Sequence, residues 1–175
     1  MGIKQFNCEY LPKEDRLVFR LNTDEGSDFL FLFTRRIALF ILSATHQLMQ
    51  QQRETQHIAP VAKAIGEFEV EAAREQVQFH NQYDVGSHFP LGSTPLLVQD
   101  VSCKVLKQNG QTVISMDLLL ENNKTINLQL WGNVLQNMRL LLERMLHQAA
   151  WTSDPAPPPQ NQGDDLSSAN QLRLH

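Results

Sequence analysis

The chain has 175 residues, 42% of them hydrophobic and 19% charged, with 15 basic and 19 acidic side chains and a formal charge of −4. That is enough apolar material for one compact core, while the acidic balance speaks against a protein that neutralises nucleic-acid phosphates. The most apolar stretch, Phe29 to Ala44, is interrupted by Arg35 and Arg36, leaving runs well short of the roughly 20 residues that a membrane-spanning helix needs.

In chain order, Ile3, Phe6, Cys8 and Tyr10 lie among polar neighbours, which reads as a strand and not as the unbroken apolar core of a signal peptide. Leu17, Phe19 and Leu21 then alternate with Arg16, Val18 and Arg20, the period of a strand with one buried face. Asp24-Glu25-Gly26 predicts a tight turn, with Gly26 in the positive-φ position. Phe29 to Phe33 is a strand apolar on both faces. Thr34 is placed to cap a helix, in which Ile37, Ile41, Ala44 and Leu48 recur at helical spacing until the polar run Gln50-Gln51-Gln52-Arg53.

Ile58, Val61, Ile65, Phe68 and Ala72 predict an amphipathic helix over 58–83, with Pro60 tolerated in its first turn. Gly86, Pro90, Gly92 and Pro95 mark the loop that follows. The first pattern then recurs at a constant offset. Ile114, Met116 and Leu118 fall on Leu17, Phe19 and Leu21, and Asn122-Asn123 falls on Glu25-Gly26. Ile126, Leu128 and Leu130 fall on the three phenylalanines 29, 31 and 33, and Val134, Met138, Leu141 and Met145 on Ile37, Ile41, Ala44 and Leu48. Upstream, at an offset two residues shorter because the first turn differs in length, Val101, Cys103 and Val105 match Phe6, Cys8 and Tyr10. After Trp151 comes Pro155-Ala156-Pro157-Pro158-Pro159, opening a stretch without aromatic or β-branched aliphatic residues, too poor in apolar surface to offset chain entropy.

These patterns predict an α+β fold of two tandem β-β-β-α units, antiparallel sheets with helices on one face, joined by a helical linker. The expected boundaries are 1–56 for the first unit, 57–97 for the connecting helix and loop, 98–151 for the second unit, and 152–175 for a disordered tail. One continuous sheet and two facing sheets are both compatible with the pattern.

The repeat lets each copy serve as a control for the other: what both share belongs to the fold, and what differs is a candidate for function. Arg35 and Arg36 stand in a first helical turn, where the helix dipole disfavours cations, and the second copy has Gly132 and Asn133 there. They are candidate binding residues for an anion or an acidic partner; the plainer reading pairs them with Asp24, Glu25 or Asp28. Leu30 and Leu32 face away from the core side, where the second copy has Asn127 and Gln129. They are candidates for a partner interface, the plainer reading being that the middle helix covers them.

No metal or cofactor is implied. The six histidines form no HExxH or zinc spacing; His80 and His88 flank Asp84 and could converge, and Glu67, Glu71 and Glu75 share a helix face, but solvated surface is the simpler account of both sets. No GxSxG, GxxxxGK[ST] or GxGxxG occurs, so no catalytic residues are assigned and an enzyme is the less favoured class. Cys8 and Cys103 occupy equivalent inward positions and read as core hydrophobes with free thiols in a reducing cytoplasm. The tail's terminal leucines, from Leu166 on, could dock on a partner. The function expected is that of a non-enzymatic accessory or adaptor protein that binds a macromolecule, by preference another protein or a second copy, through its first repeat. The alternative is a protein that binds a small molecule or anion in a pocket between the repeats, with an enzyme included in that class.

Overall fold

Alternating apolar side chains turn the N-terminal stretch into a hairpin. In the computed structural model, which describes residues 2–55, 59–76, 82–108, 110–151 and 171–173, β1 (Ile3–Leu11) and β2 (Arg16–Thr23) pair antiparallel, with Cys8 opposite Phe19. At the next turn Gly26 takes φ 78° and its N–H donates to the Thr23 carbonyl at 2.9 Å, a backbone that glycine adopts without steric cost. β3 (Asp28–Thr34) returns against β2, placing Phe31 opposite Phe19. Thr34 ends the strand and caps α1 (Arg35–Glu54), its hydroxyl accepting the Ile37 N–H at 3.3 Å.

α2 (Ala59–Gln76) follows, and the chain re-enters the sheet as β4 (Leu96–Gln108). β5 (Gln111–Leu120) and β6 (Thr125–Leu130) continue it antiparallel. α3 (Gly132–Gln148) comes next, and a short β7 (Gln171–Arg173) pairs antiparallel with β4 at Ser102–Lys104.

The fold is α+β, with a single mixed sheet in the order β1-β2-β3-β4-β5-β6 and three helices. The expectation of purely antiparallel pairing needs correction at the centre. β3 and β4 run parallel and meet through Phe31–Leu96 and Leu32–Leu97. Parallel neighbours need a long crossover that returns the chain to its starting end, and α1 with α2 provides it. The middle helix is also shorter than the expected 58–83, since Tyr83 and Asp84 are not helical; both are bonded to the β1–β2–β3 strands, as described below. The tail expected to be disordered over 152–175 lies mostly outside the described residues. Within it Gln171–Arg173 forms β7, because a sheet edge offers main-chain partners whatever the composition of the incoming strand.

One core runs through the molecule. Leu17, Phe19, Leu21, Phe31 and Phe33 share it with Ile37, Ile41 and Leu48, and with Ile114, Met116, Leu118, Met138 and Leu142. Each such side chain stabilises the fold by about 1.5–3 kcal/mol on full burial. The Phe19 and Phe33 rings stack with centroids 5.0 Å apart, adding about 0.5–1.5 kcal/mol. α1 packs on β4 as well as β3, and α3 packs on β1, so each helix closes over strands from the other half. Trp151 seals the end of α3. It is 2% exposed, its indole N–H donates to Asp15 Oδ1 at 2.8 Å, and its ring meets Tyr10 edge-on at 5.7 Å. Among the described residues, no helix is long and apolar enough to cross a membrane.

Candidate functional site

The residues singled out by the copy comparison do not form one surface. Leu30 is buried at 8% exposure opposite Arg20, and Leu32 is half-buried opposite Val18 and in register with Leu97. Arg35 and Arg36 are exposed, and Arg36 Nη2 reaches the Gln99 carbonyl at 3.5 Å. Asp28, one of the partners considered for them, accepts instead from Arg20 Nη2 at 3.3 Å, from the Tyr83 hydroxyl at 3.1 Å and from the Gly86 N–H at 3.1 Å.

α2 does not turn its apolar stripe inward as expected. Ile58 lies outside the described residues, while Val61 is 42% and Phe68 75% exposed. The inward positions are Ala62 and Gly66, both buried, and α2 packs on α1 and α3. Small side chains permit that close approach. A Cβ on Gly66 would lie 2.7 Å from Arg53 Nη1, so the glycine makes room for a guanidinium.

The outer side of the β1–β2–β3 strands is held by the segment 82–88. Asn22 Nδ2 donates to the Asp84 carbonyl at 2.5 Å, Gln5 Oε1 accepts the Asp84 N–H at 3.0 Å, and Lys4 Nζ meets the Asp84 carboxylate at 2.7 Å. The Arg20 guanidinium lies 5.1 Å from the centre of the Tyr83 ring. Asp28 is fully buried, and its three donors are what make that tolerable. Burial, and the Asp28 carboxylate beside it, push the Tyr83 hydroxyl pKa far above its usual value. This cluster fastens a loop. His88 takes part through its backbone, accepting the Asp28 N–H at 2.7 Å; His80 lies outside the described residues. Both cysteines are free and buried, and burial pushes their thiols up to about 12.

A different set of polar residues meets between the helices. α1, α2 and α3 enclose a cleft of about 660 Å³. His46, Gln50 and Arg53 project into it from one face of α1, Lys63, Gly66 and Glu67 line it from α2, and Arg139 closes it from α3. The Lys63–Glu67 pair, 3.9 Å apart, is well exposed and forms the rim. Glu71 lines the cleft beside Glu67, so its walls carry both signs. Arg53 Nη2 is bonded to Glu69 at 2.6 Å.

Arg139 is only 7% exposed and is poorly compensated. Its Nη1 is 3.8 Å from Met49 Sδ, its Nη2 is 3.7 Å from Glu143, and its Nε is buried without a hydrogen-bond partner. Burial lowers its pKa; Glu143 opposes that shift, and Arg53 adds to it. The His46 imidazole is likewise held below its ordinary value, by burial first and then by Arg139 and Arg53, with Glu143 and a Gln50 hydrogen bond acting the other way. For both groups burial is the larger cause, and nearby cations add to it.

A largely buried guanidinium in the wall of a cleft is suited to a carboxylate or phosphate oxygen. Among the described residues, no three of His, Cys, Asp and Glu converge as metal ligands. Arg139 was missed in the sequence because it sits inside the run Met138 to Leu142. The alignment expected from the sequence sets Leu42 of the first helix against it. No family model matches the chain, and neither the curated proteins nor the solved structures contain a match.

Proposed function

We propose that this protein binds a small anionic ligand, bearing a carboxylate or phosphate group, in the cleft between α1, α2 and α3. The observation that carries this reading is Arg139, a buried cation whose Nε has no partner and whose nearest carboxylate stands 3.7 Å away. Its ion pair with the half-exposed Glu143 is loose, and an anion in the cleft would give the guanidinium a second counter-ion. Arg53 and His46 stand beside it in the same cavity.

Duplication belongs to the same proposal. Residues 3–54 and 96–148 each run β-β-β-α, and Leu17, Phe19 and Leu21 are buried as Ile114, Met116 and Leu118 are. On that reading the cleft lies where helices of the two copies meet the connecting helix, and Arg139 is a substitution acquired by one copy. A reducing, cytoplasmic location is supported by the two buried free thiols. Binding of a macromolecule through residues 1–56 is the second reading; with Leu30 buried, it rests on the exposed Arg35 and Arg36.

The test is Arg139→Leu, which installs the residue that the first helix carries. Glu143, the counter-ion left behind, is exposed and can be solvated, so no buried charge is left unpaired and the melting temperature should hold or rise. Inorganic phosphate and small carboxylates, titrated calorimetrically, should bind at least tenfold more weakly, a loss of about 1.4 kcal/mol. Equal binding by wild type and variant would remove the cleft as the site.

A further inference from the structure

The cleft between the three helices is polarised. On its α3 wall Arg139 is buried, and its Nε has no hydrogen-bond partner. On its α2 wall Glu67 and Glu71 stand one turn apart, and both are exposed. Glu67 meets Lys63 at 3.9 Å with both side chains open to water, a pairing that is weak and readily exchanged. Among the described residues, the charges lining the cleft are Arg53, Lys63 and Arg139 against Glu67 and Glu71. Glu69 and Glu143 join them as the ion-pair partners of Arg53 and Arg139. His46, held below its ordinary pKa, adds no charge at neutral pH. Carboxylates thus outnumber cations by one. A ligand bearing negative charge alone adds to that excess, whereas one that brings its own cation leaves the total unchanged.

We propose that the ligand of this cleft is a small zwitterion, a primary ammonium and an anionic group on one short apolar body, as in an aminocarboxylate; this rests on the anion site at Arg139 proposed above. The anionic end pairs with the buried guanidinium, whose planar fork suits a carboxylate. The ammonium end displaces Lys63 from Glu67. Its three N–H donors can serve Glu67 and Glu71 together, because residues four apart on a helix are neighbours. Ala62 and Val70, which α2 also brings to the cleft, give the body an apolar surface to lie on. A volume of about 660 Å³ is ordinary for a small-molecule site and holds a body of several carbons. The two ends contribute differently. Arg139 is desolvated, so its ion pair supplies affinity, while the solvated carboxylates discriminate a zwitterion from a plain acid.

The experiment titrates the isotopically labelled full-length chain and reads dissociation constants from its amide shifts. The probes are straight-chain ω-aminocarboxylates from glycine to aminohexanoate, plain carboxylates from acetate to hexanoate, and dicarboxylates from malonate to adipate. At least one aminocarboxylate should bind about tenfold more tightly than the carboxylate of equal length, the worth of a hydrogen bond to a charged group. Glu67→Gln with Glu71→Gln should abolish that advantage, while plain carboxylates bind as before or better. Both positions are exposed, so the melting temperature should hold; if it falls, the two single variants replace the double one. Arg139→Leu should weaken both series. The zwitterion is overturned, with the anion site left standing, by any of three results: no advantage for the ammonium in wild type, an advantage that survives the glutamine variants, or tighter binding of a dicarboxylate than of any aminocarboxylate. If neither series binds wild type, or both bind Arg139→Leu equally well, the anion site itself falls and the zwitterion with it.

Discussion

Arg139 is a desolvated charge set in the otherwise apolar run of α3. That charge also acts on His46. Because the His46 pKa in the folded protein lies below its ordinary 6.5, the unfolded chain binds the proton more readily. His46 thus subtracts stability as pH falls through about 6.5 and below, and makes no such contribution at higher pH. The melting temperature of wild type should fall more steeply between pH 7 and pH 5 than that of His46→Gln. An anion on the cleft floor reverses the field. Sulfate, whose charge is constant over this range, should move the His46 titration seen by NMR to higher pH, and a titration that does not respond would argue against anion binding beside it. Residue by residue, the inward ladder was legible because burial repeats with a fixed period: Phe19, Phe31 and Ile41 lie where alternation and helical spacing place them. Arg139 and Asp28 were not. A single polar residue in an apolar run has no period, and its partners, Glu143 apart, come from elsewhere in the chain.

α2 shows what an amphipathic pattern leaves undetermined at the level of elements. The spacing of Val61, Ile65 and Phe68 defines an apolar face, but periodicity does not say what lies opposite. Ala62 and Gly66 decide the matter, since only small side chains let α2 approach α1 closely enough to form the cleft. Gly66→Ala separates the geometry of the site from the stability of the helix. Alanine favours the helix by about 1 kcal/mol, while its Cβ would meet the end of the Arg53 side chain at 2.7 Å. Arg53 is mobile enough to yield, so the melting temperature should stay close to wild type while anion affinity falls, as calorimetry can measure. A variant with undiminished affinity would show that Arg53 does not help to form the site. Gly86 is a contrasting case. A Cβ there would lie 2.6 Å from the Gly26 carbonyl oxygen, and backbone cannot step aside cheaply. Gly86→Ala should cost about 1–3 kcal/mol, the range for overpacking, measured by denaturant unfolding, by forcing the segment 82–88 away from Asp28.

For the molecule as a whole, the α+β class could be read in advance, but the mixed sheet and the way its strands join could not. Two residue pairs between β3 and β4 create one sheet, and no composition or period announces a contact that small. Nor does the helical spacing of α1 and α3 reveal that each reaches across to the opposite strands. That crossing makes the halves interdependent: without α3, β1 loses the helix that packs on it, and without α1 the same is true of β4.

The two buried thiols turn this interdependence into something a chemical reagent can time. Cys8 sits in β1 and Cys103 in β4, one in each half, and thiols pushed up to about 12 are protonated and shielded at neutral pH. Since the thiolate is the reacting species, alkylation of either one waits for the protein to open around it. The pair is a built-in double clock. If the crossing helices bind the halves into one cooperative unit, both cysteines should be modified at the same rate in dilute denaturant, resolved site by site by mass spectrometry. If Cys8 reacted well before Cys103, or the reverse, the two halves would have to open separately.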